Sequence, residues 1–155
     1  MTVRSRSAGL LLWRRRAGRV EVLLGHMGGP YWARKDAGAW TIPKGEYDDA
    51  EDPFVAAGRE FAEELGVPAP TGEATPLGEV VQPGGKHVIA WAVEGDLDPA
   101  VAVSNTFELE WPPRSGRRAT FPELDRVAWW GLAEARTKIL AGQRPLLDRL
   151  GAALE

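Results

Sequence analysis

Apolar and polar positions alternate in short blocks along most of this chain. "SAGLLLW" (7–13) and "VEVLLG" (20–25) are β-leaning runs separated by a turn at Ala17-Gly18, the pattern of a hairpin. "HMGGPYWARKDAGAW" (26–40) has no period and reads as a loop over or beside a site. "WTIPKGE" predicts a brief strand ending at Pro43. After the polar "EYDDAEDP" the period changes to that of a helix over 53–65, with Asp52 as its cap, Pro53 at the first helical position and Gly66 closing it. "PLGEVVQ" and "KHVIAWAVEG" alternate as strands around the turn "QPGGK". "FELEW" and "DRVAWWGL" are two more strands around the Arg-rich turn "PPRSGRR". From Ala133 the chain reads as helix with a break near Gly142 to Pro145. The order predicts an α/β (α+β) sandwich, a mixed β-sheet between helices, and one domain over 1–155.

The helix raises a chemical question. At 3.6 residues per turn Phe54, Gly58, Phe61, Ala62 and Leu65 fall on one side, and Glu60, Glu63 and Glu64 opposite. Those glutamates are neighbours at i+3 and i+4, where like charges cost a few tenths of a kcal/mol each. A solvated helix face accounts for them. So does a hard-cation site, because carboxylates on adjacent turns bind Mg²⁺ or Mn²⁺ through oxygen and leave positions for water and phosphate.

Charge and composition narrow the partners. With 19 Lys+Arg against 22 Asp+Glu the net charge is −3, so no global field points to nucleic acid or an anionic membrane. The absence of cysteine removes disulfides, thiolate zinc sites and thiol catalysis, and fits a cytoplasmic protein. The opening "MTVRSRSAGLLLWRRR" is too short in its apolar run for a signal peptide and reads as a first strand. No run reaches the roughly 18 to 20 apolar residues of a membrane span.

The residues around the glutamates decide between the two readings. Gly45, five residues, Glu51, seven residues, then Arg59-Glu60-Phe61-Ala62-Glu63-Glu64-Leu65-Gly66-Val67 resembles the box of the Nudix hydrolases, G-x5-E-x7-R-E-U-x-E-E-x-G-U with U apolar, at every specified position. A chance match is on the order of 10⁻⁷ at ordinary residue usage. The "WTIPKGE" entry and the late "W-x-x-L-x-E-A" extend the resemblance over most of the chain.

The resemblance implies a Nudix-type α/β/α sandwich that hydrolyses a pyrophosphate linkage in a nucleoside diphosphate joined to another group, with Mg²⁺ or Mn²⁺ as cofactor. Glu60 and Glu64 would be the principal metal ligands, Glu63 a further ligand or one acting through water, and the Gly45 carbonyl an extra one. Arg59 would orient a glutamate. Glu51 and Gly66 would be structural. Glu123 resembles the later carboxylate that many members recruit as ligand or general base, with Glu108 and Glu110 as alternatives.

Lys44, in "PKG", is a candidate phosphate contact, as are Lys86, Arg114, Arg117 and Arg118. Tyr31 and Trp32 in the Gly-rich loop are candidates to stack on a base, whereas Trp13, Trp91 and Trp129 read as core. His26 and His87 read as ordinary loop or strand residues. "SAGLLLWRR", "WTIPKGE" and "GGKHVIAWAV" are most similar to the diadenosine polyphosphate and diphosphoinositol branch. Pro83 instead matches ADP-ribose pyrophosphatases, and Gly84-Gly85 stands where the dinucleoside branch has a tyrosine. A nucleoside triphosphate pyrophosphohydrolase and a non-catalytic nucleotide-binding module are the other expectations. The partner expected is a small-molecule nucleotide, with the chain a monomer or homodimer.

Overall fold

The computed structural model describes residues 6–155. The basic start of the opening stretch, residues 1–5, lies outside them, and its apolar run forms a strand as expected. Strand β1 (Arg6–Arg16) turns through Ala17 and Gly18, with φ of 53° and 76°, into the antiparallel β2 (Arg19–Met27). Two successive left-handed residues match the twist of a tight hairpin.

The two strands stay paired only from Trp13↔Val22 to Arg16↔Arg19 and then diverge. Two short strands fill the gap: β3 (Trp40–Thr41) on Gly25 and His26 of β2, and β4 (Lys44–Glu46) on Ser7 to Gly9 of β1. The single strand expected to end at Pro43 is therefore two strands interrupted by Ile42-Pro43, since proline has no N–H for a ladder. The Ile42 N–H donates instead to Oε1 of the fully buried Gln143.

Helix α1 (Pro53–Leu65) follows, capped by Asp52, whose carboxylate accepts from the Val55 N–H at 3.1 Å, and closed by Gly66 at φ 69°. β5 (Ala74–Val81) and β6 (His87–Glu94) form a hairpin, and β6 runs parallel to β1. β7 (Thr106–Glu110) and β8 (Arg118–Pro122) make a separate two-stranded ribbon. β9 (Leu124–Gly131) returns antiparallel to β2, and α2 (Leu132–Lys138) and α3 (Arg144–Ala153) complete the chain.

Alternation along β1 sorts the core into two layers. Ala8, Leu10 and Leu12 pack with Ala56, Ala57, Phe61 and Leu65 of α1. Leu11 packs on the other face with Val22, Trp40, Ala135 of α2 and Leu146, Leu147 and Leu150 of α3. The mixed sheet lies between helices, as the sequence predicts.

Three local expectations are corrected and one is refined. The partner of "FELEW" across the Arg-rich turn is β8, hidden in "RATFP", and "DRVAWWGL" joins the main sheet instead. The C-terminal break falls at 139–143, and Pro145 sits in the first turn of α3, where it starts a helix. Trp13, Trp91 and Trp129 are partly buried and pack against the core from its edge, while Trp40 lies within it. The packed side of α1 is also rotated: Phe54 is 43% exposed, and the buried residues are Ala56, Ala57, Glu60, Phe61, Glu64 and Leu65. Two of the three glutamates face the sheet.

Candidate active site

Glu60 and Glu64 are each only 8% exposed, so their carboxylates lie against β4 rather than in solvent. Glu60 rests on Gly45, where an added Cβ would come within 1.9 Å of its Oε2. Only glycine admits a carboxylate so close to the strand. Glu64 turns its Oε1 to the Lys44 N–H at 3.1 Å. Glu63, the third glutamate, is exposed.

Arg59 ties the cluster together. Its Nε and Nη2 donate to Glu51 in a bidentate pair at 2.8 and 2.9 Å, its Nη1 donates to Glu60 at 2.8 Å and Glu63 at 3.2 Å, and Nη2 also reaches the Glu46 carbonyl. The planar guanidinium fork suits this geometry. The hydrogen bond from Arg59 holds the Glu51 carboxyl below its ordinary range, and Glu51 in turn holds the guanidinium above its own. Glu51 is thus the anchor of Arg59.

Burial dominates the electrostatics of the deeper groups. It raises the Glu60 carboxyl against the opposing bond from Arg59. It pushes Glu64 up to about 8, against the Lys44 amide and the Lys44 charge. It also pulls the Lys44 ammonium down to about 8, helped by the neighbouring Lys86 charge and opposed by Glu64 and Glu123. Lys44 therefore lies in the field of Lys86, Glu64 and Glu123, and Glu64 in that of Lys44 and Glu123. "PKG", the "QPGGK" turn and the β8–β9 corner, far apart in sequence, meet there.

Backbone hydrogen bonds set the position of Glu123. The Asn105 N–H donates to the Glu63 carbonyl near the end of α1, the Glu123 N–H donates to the Asn105 carbonyl at 2.8 Å, and the Gly28 N–H donates to the Glu123 carbonyl at 2.9 Å. This chain links α1, the β8–β9 corner and the loop after β2. Helix ends leave such carbonyls open, and a strap is one way to satisfy them.

Tyr31 and Trp32 line a cavity of about 180 Å³ that Phe107, Leu109 and Glu123 also line. Arg118 is not brought to the carboxylates: it pairs with Glu110 at the end of the ribbon away from Glu123, with its guanidinium 3.8 Å from Glu108. Arg114 and Arg117 lie in the exposed turn beyond it. His87 pairs with Glu79.

His26 is no ordinary strand residue. It is fully buried, with Nδ1 2.8 Å from Asp125 and Nε2 2.6 Å from the Lys35 carbonyl, and so ties the loop after β2 to β9. Asn105, Phe107 and Gln143 are likewise positioned by tertiary contacts. No local motif marks any of them.

The donor set fits a divalent cation. It is oxygen-only, and glycine at position 45 leaves room for a carboxylate over β4. Burial also leaves Glu60 and Glu64 seeking a proton or a cation. Among the described residues no three His, Cys, Asp or Glu side chains close around one point, because Glu60 and Glu63 are turned onto Arg59. No described helix is long and apolar enough to cross a membrane.

Comparison with known proteins bears on the family and the fold. The NUDIX domain model matches residues 3–150. An 8-oxo-(d)GTP phosphatase of Mycolicibacterium smegmatis is 35% identical over 123 residues, 70% of this chain and 34% of that protein, so the chain spans about a third of its length. The Caenorhabditis elegans Ap4A hydrolase in a binary complex superposes with a TM-score of 0.63 at 25% identity, covering 97% of each chain. The NUDIX domain of Shewanella oneidensis NrtR, crystallised with ADP ribose, has a TM-score of 0.69 at 16% identity, covering 100% of this chain and 91% of that one. The dinucleoside polyphosphate branch expected from the sequence is not singled out: an Ap4A hydrolase is among the similar structures, while the relative at 35% identity is named for another substrate. The box at 45–67, the sandwich that presents it and the family match over 3–150 establish that the chain belongs to the Nudix hydrolase family.

Proposed function

We propose that this domain hydrolyses a pyrophosphate linkage in a purine nucleoside triphosphate or a close analogue, with Mg²⁺ or Mn²⁺ held by Glu60, Glu63 and Glu64 and the Gly45 carbonyl as a further ligand. The observation that carries it is the burial of Glu60 and Glu64 against Gly45 and the Lys44 amide, beside the Lys44 and Lys86 ammonium groups. Such burial is costly for a solvated face and useful for a metal and phosphate site. The bound metal would supply positive charge opposite the phosphoryl oxygens as the bridging P–O bond breaks.

The protein groups divide the remaining work. Lys44 and Lys86 hold phosphate oxygens as point charges. Arg59, anchored by Glu51, orients Glu60 and Glu63. Glu123, whose field reaches Glu64, takes the proton of the attacking water. The triphosphate reading draws on the M. smegmatis relative. A dinucleoside polyphosphate is the second reading, favoured by the C. elegans Ap4A hydrolase at 25% identity. A cytoplasmic location and a monomer or homodimer belong to the same proposal.

The test is a Mg²⁺-dependent hydrolysis screen against 8-oxo-dGTP, the ordinary nucleoside triphosphates, diadenosine tetraphosphate and ADP-ribose. Preferred cleavage of a triphosphate supports the first reading. Preferred cleavage of diadenosine tetraphosphate moves the second ahead. Tight binding of a nucleotide with no cleavage of any compound supports a non-catalytic module.

A further inference from the structure

The β7–β8 ribbon presents apolar side chains that belong to neither core layer. Phe107 and Leu109, two residues apart on β7, are half-buried, while Thr106, Glu108 and Glu110 between and beside them are exposed. The two apolar side chains share a face of the strand. Gly29, Tyr31 and Trp32 of the loop after β2 line a cavity of about 180 Å³ together with Phe107 and Leu109. The Phe107 ring packs over Gly29, where a Cβ would lie 3.0 Å from Cζ at a φ of 96°.

Both walls are tied to the carboxylate helix. Asn105, next to the first residue of β7, donates to the Glu63 carbonyl, and Gly28, at the start of the opposite wall, donates to the Glu123 carbonyl. The cavity therefore opens beside the proposed metal and phosphate groups, at a position set by backbone bonds. None of its lining residues is cationic. Three aromatic side chains and Leu109 offer apolar contact to a planar ring, and the Glu123 carboxylate disfavours a phosphate there. Whole drug-sized ligands fill roughly 300–1,000 Å³, so this volume suits one ring system with its sugar and phosphates outside.

We propose that this cavity binds the purine base of the nucleotide, clamped between Phe107 of the ribbon and the Tyr31-Trp32 loop, and that Phe107 is a specificity-determining residue. The inference rests on the nucleotide reading above but does not need hydrolysis. A dinucleoside substrate would place only one of its two bases here.

Calorimetric titration with GMP, AMP and ribose 5-phosphate in the presence of Mg²⁺ tests it directly. In the unmodified protein at least one of GMP and AMP binds tenfold or more tightly than ribose 5-phosphate. Phe107→Ala weakens that nucleotide by roughly five- to a hundredfold, the range for loss of a base-aromatic stack, and leaves ribose 5-phosphate unchanged. The unchanged ribose 5-phosphate affinity reports that the variant is folded. Phe107→Tyr restores nucleotide binding, and Thr106→Ala, at an exposed position of the same strand, does not alter it. Equal affinities for nucleotide and ribose 5-phosphate in the unmodified protein overturn the proposal, as does an undiminished preference in Phe107→Ala. If base-dependent binding is present and no compound in the hydrolysis screen is cleaved, the base pocket stands and the hydrolytic function falls.

Discussion

The Glu60 carboxylate rests on the Cα of Gly45, with room for no additional atom: a methyl there would lie 1.9 Å from Oε2. Gly45→Ala therefore has to move the carboxylate or separate β4 from α1. Overpacking of this kind costs about 1–3 kcal/mol. The expected outcome is a lower thermal midpoint together with a fall in kcat of about a hundredfold or more, measured on the preferred substrate. Near-normal turnover would show that Glu60 functions equally well from another position.

Glu64→Gln separates charge from shape. The amide keeps an oxygen for the Lys44 N–H and removes a carboxylate that burial disfavours when ionised. Turnover should drop by orders of magnitude, because a ligand charge is lost. The metal-free variant should melt no lower than the parent at pH 8. Full activity in this variant would remove Glu64 from the ligand set.

Glu64 also predicts a pH dependence of stability. Its folded pKa, raised by burial to about 8, lies above the ordinary 4.5, so the folded protein holds this proton more tightly than the unfolded chain. The resulting stabilisation is complete below the ordinary value and is lost as pH climbs through about 8. Lys44, shifted down by burial, acts in the opposite sense and only above about 8. Thermal melts of metal-free protein should fall between about pH 5 and 8, and the rise in midpoint on adding Mg²⁺ should be larger at pH 8 than at pH 6. A Mg²⁺ effect that shrinks as pH rises would contradict the carboxylate site.

Arg59→Lys keeps the charge and loses the fork. The bidentate pair with Glu51 and the simultaneous contacts to Glu60 and Glu63 cannot be made by one ammonium. The Mg²⁺ concentration for half-maximal activity should rise about tenfold, with a smaller change in kcat at saturating metal. An unchanged metal requirement would leave Arg59 without a role in orienting the glutamates.

Local signals in the chain were enough to determine the hairpin at Ala17-Gly18, the bounds of α1 with Asp52 and Gly66, the alternating strands and the spacing from Gly45 to Val67. Caps, turns and periodicity act over a few residues, so each is written where it operates. The side of α1 that is buried was decided only by tertiary structure. Periodicity places the apolar residues on the packed side, yet the gap where β1 and β2 diverge admits β4, and Gly45 there accepts a carboxylate that a wheel diagram sends to solvent. The same holds for Glu123, brought to Glu64 and Lys44 through Asn105 by backbone bonds that any residue type can make. β8, Phe107, the His26–Asp125 pair and Gln143 also depend on long-range contacts. The carboxylates of the candidate site were legible locally because they lie within one helix, whereas their depth, the approach of Lys86 and Glu123 and the cavity come from segments that only the folded sheet brings together.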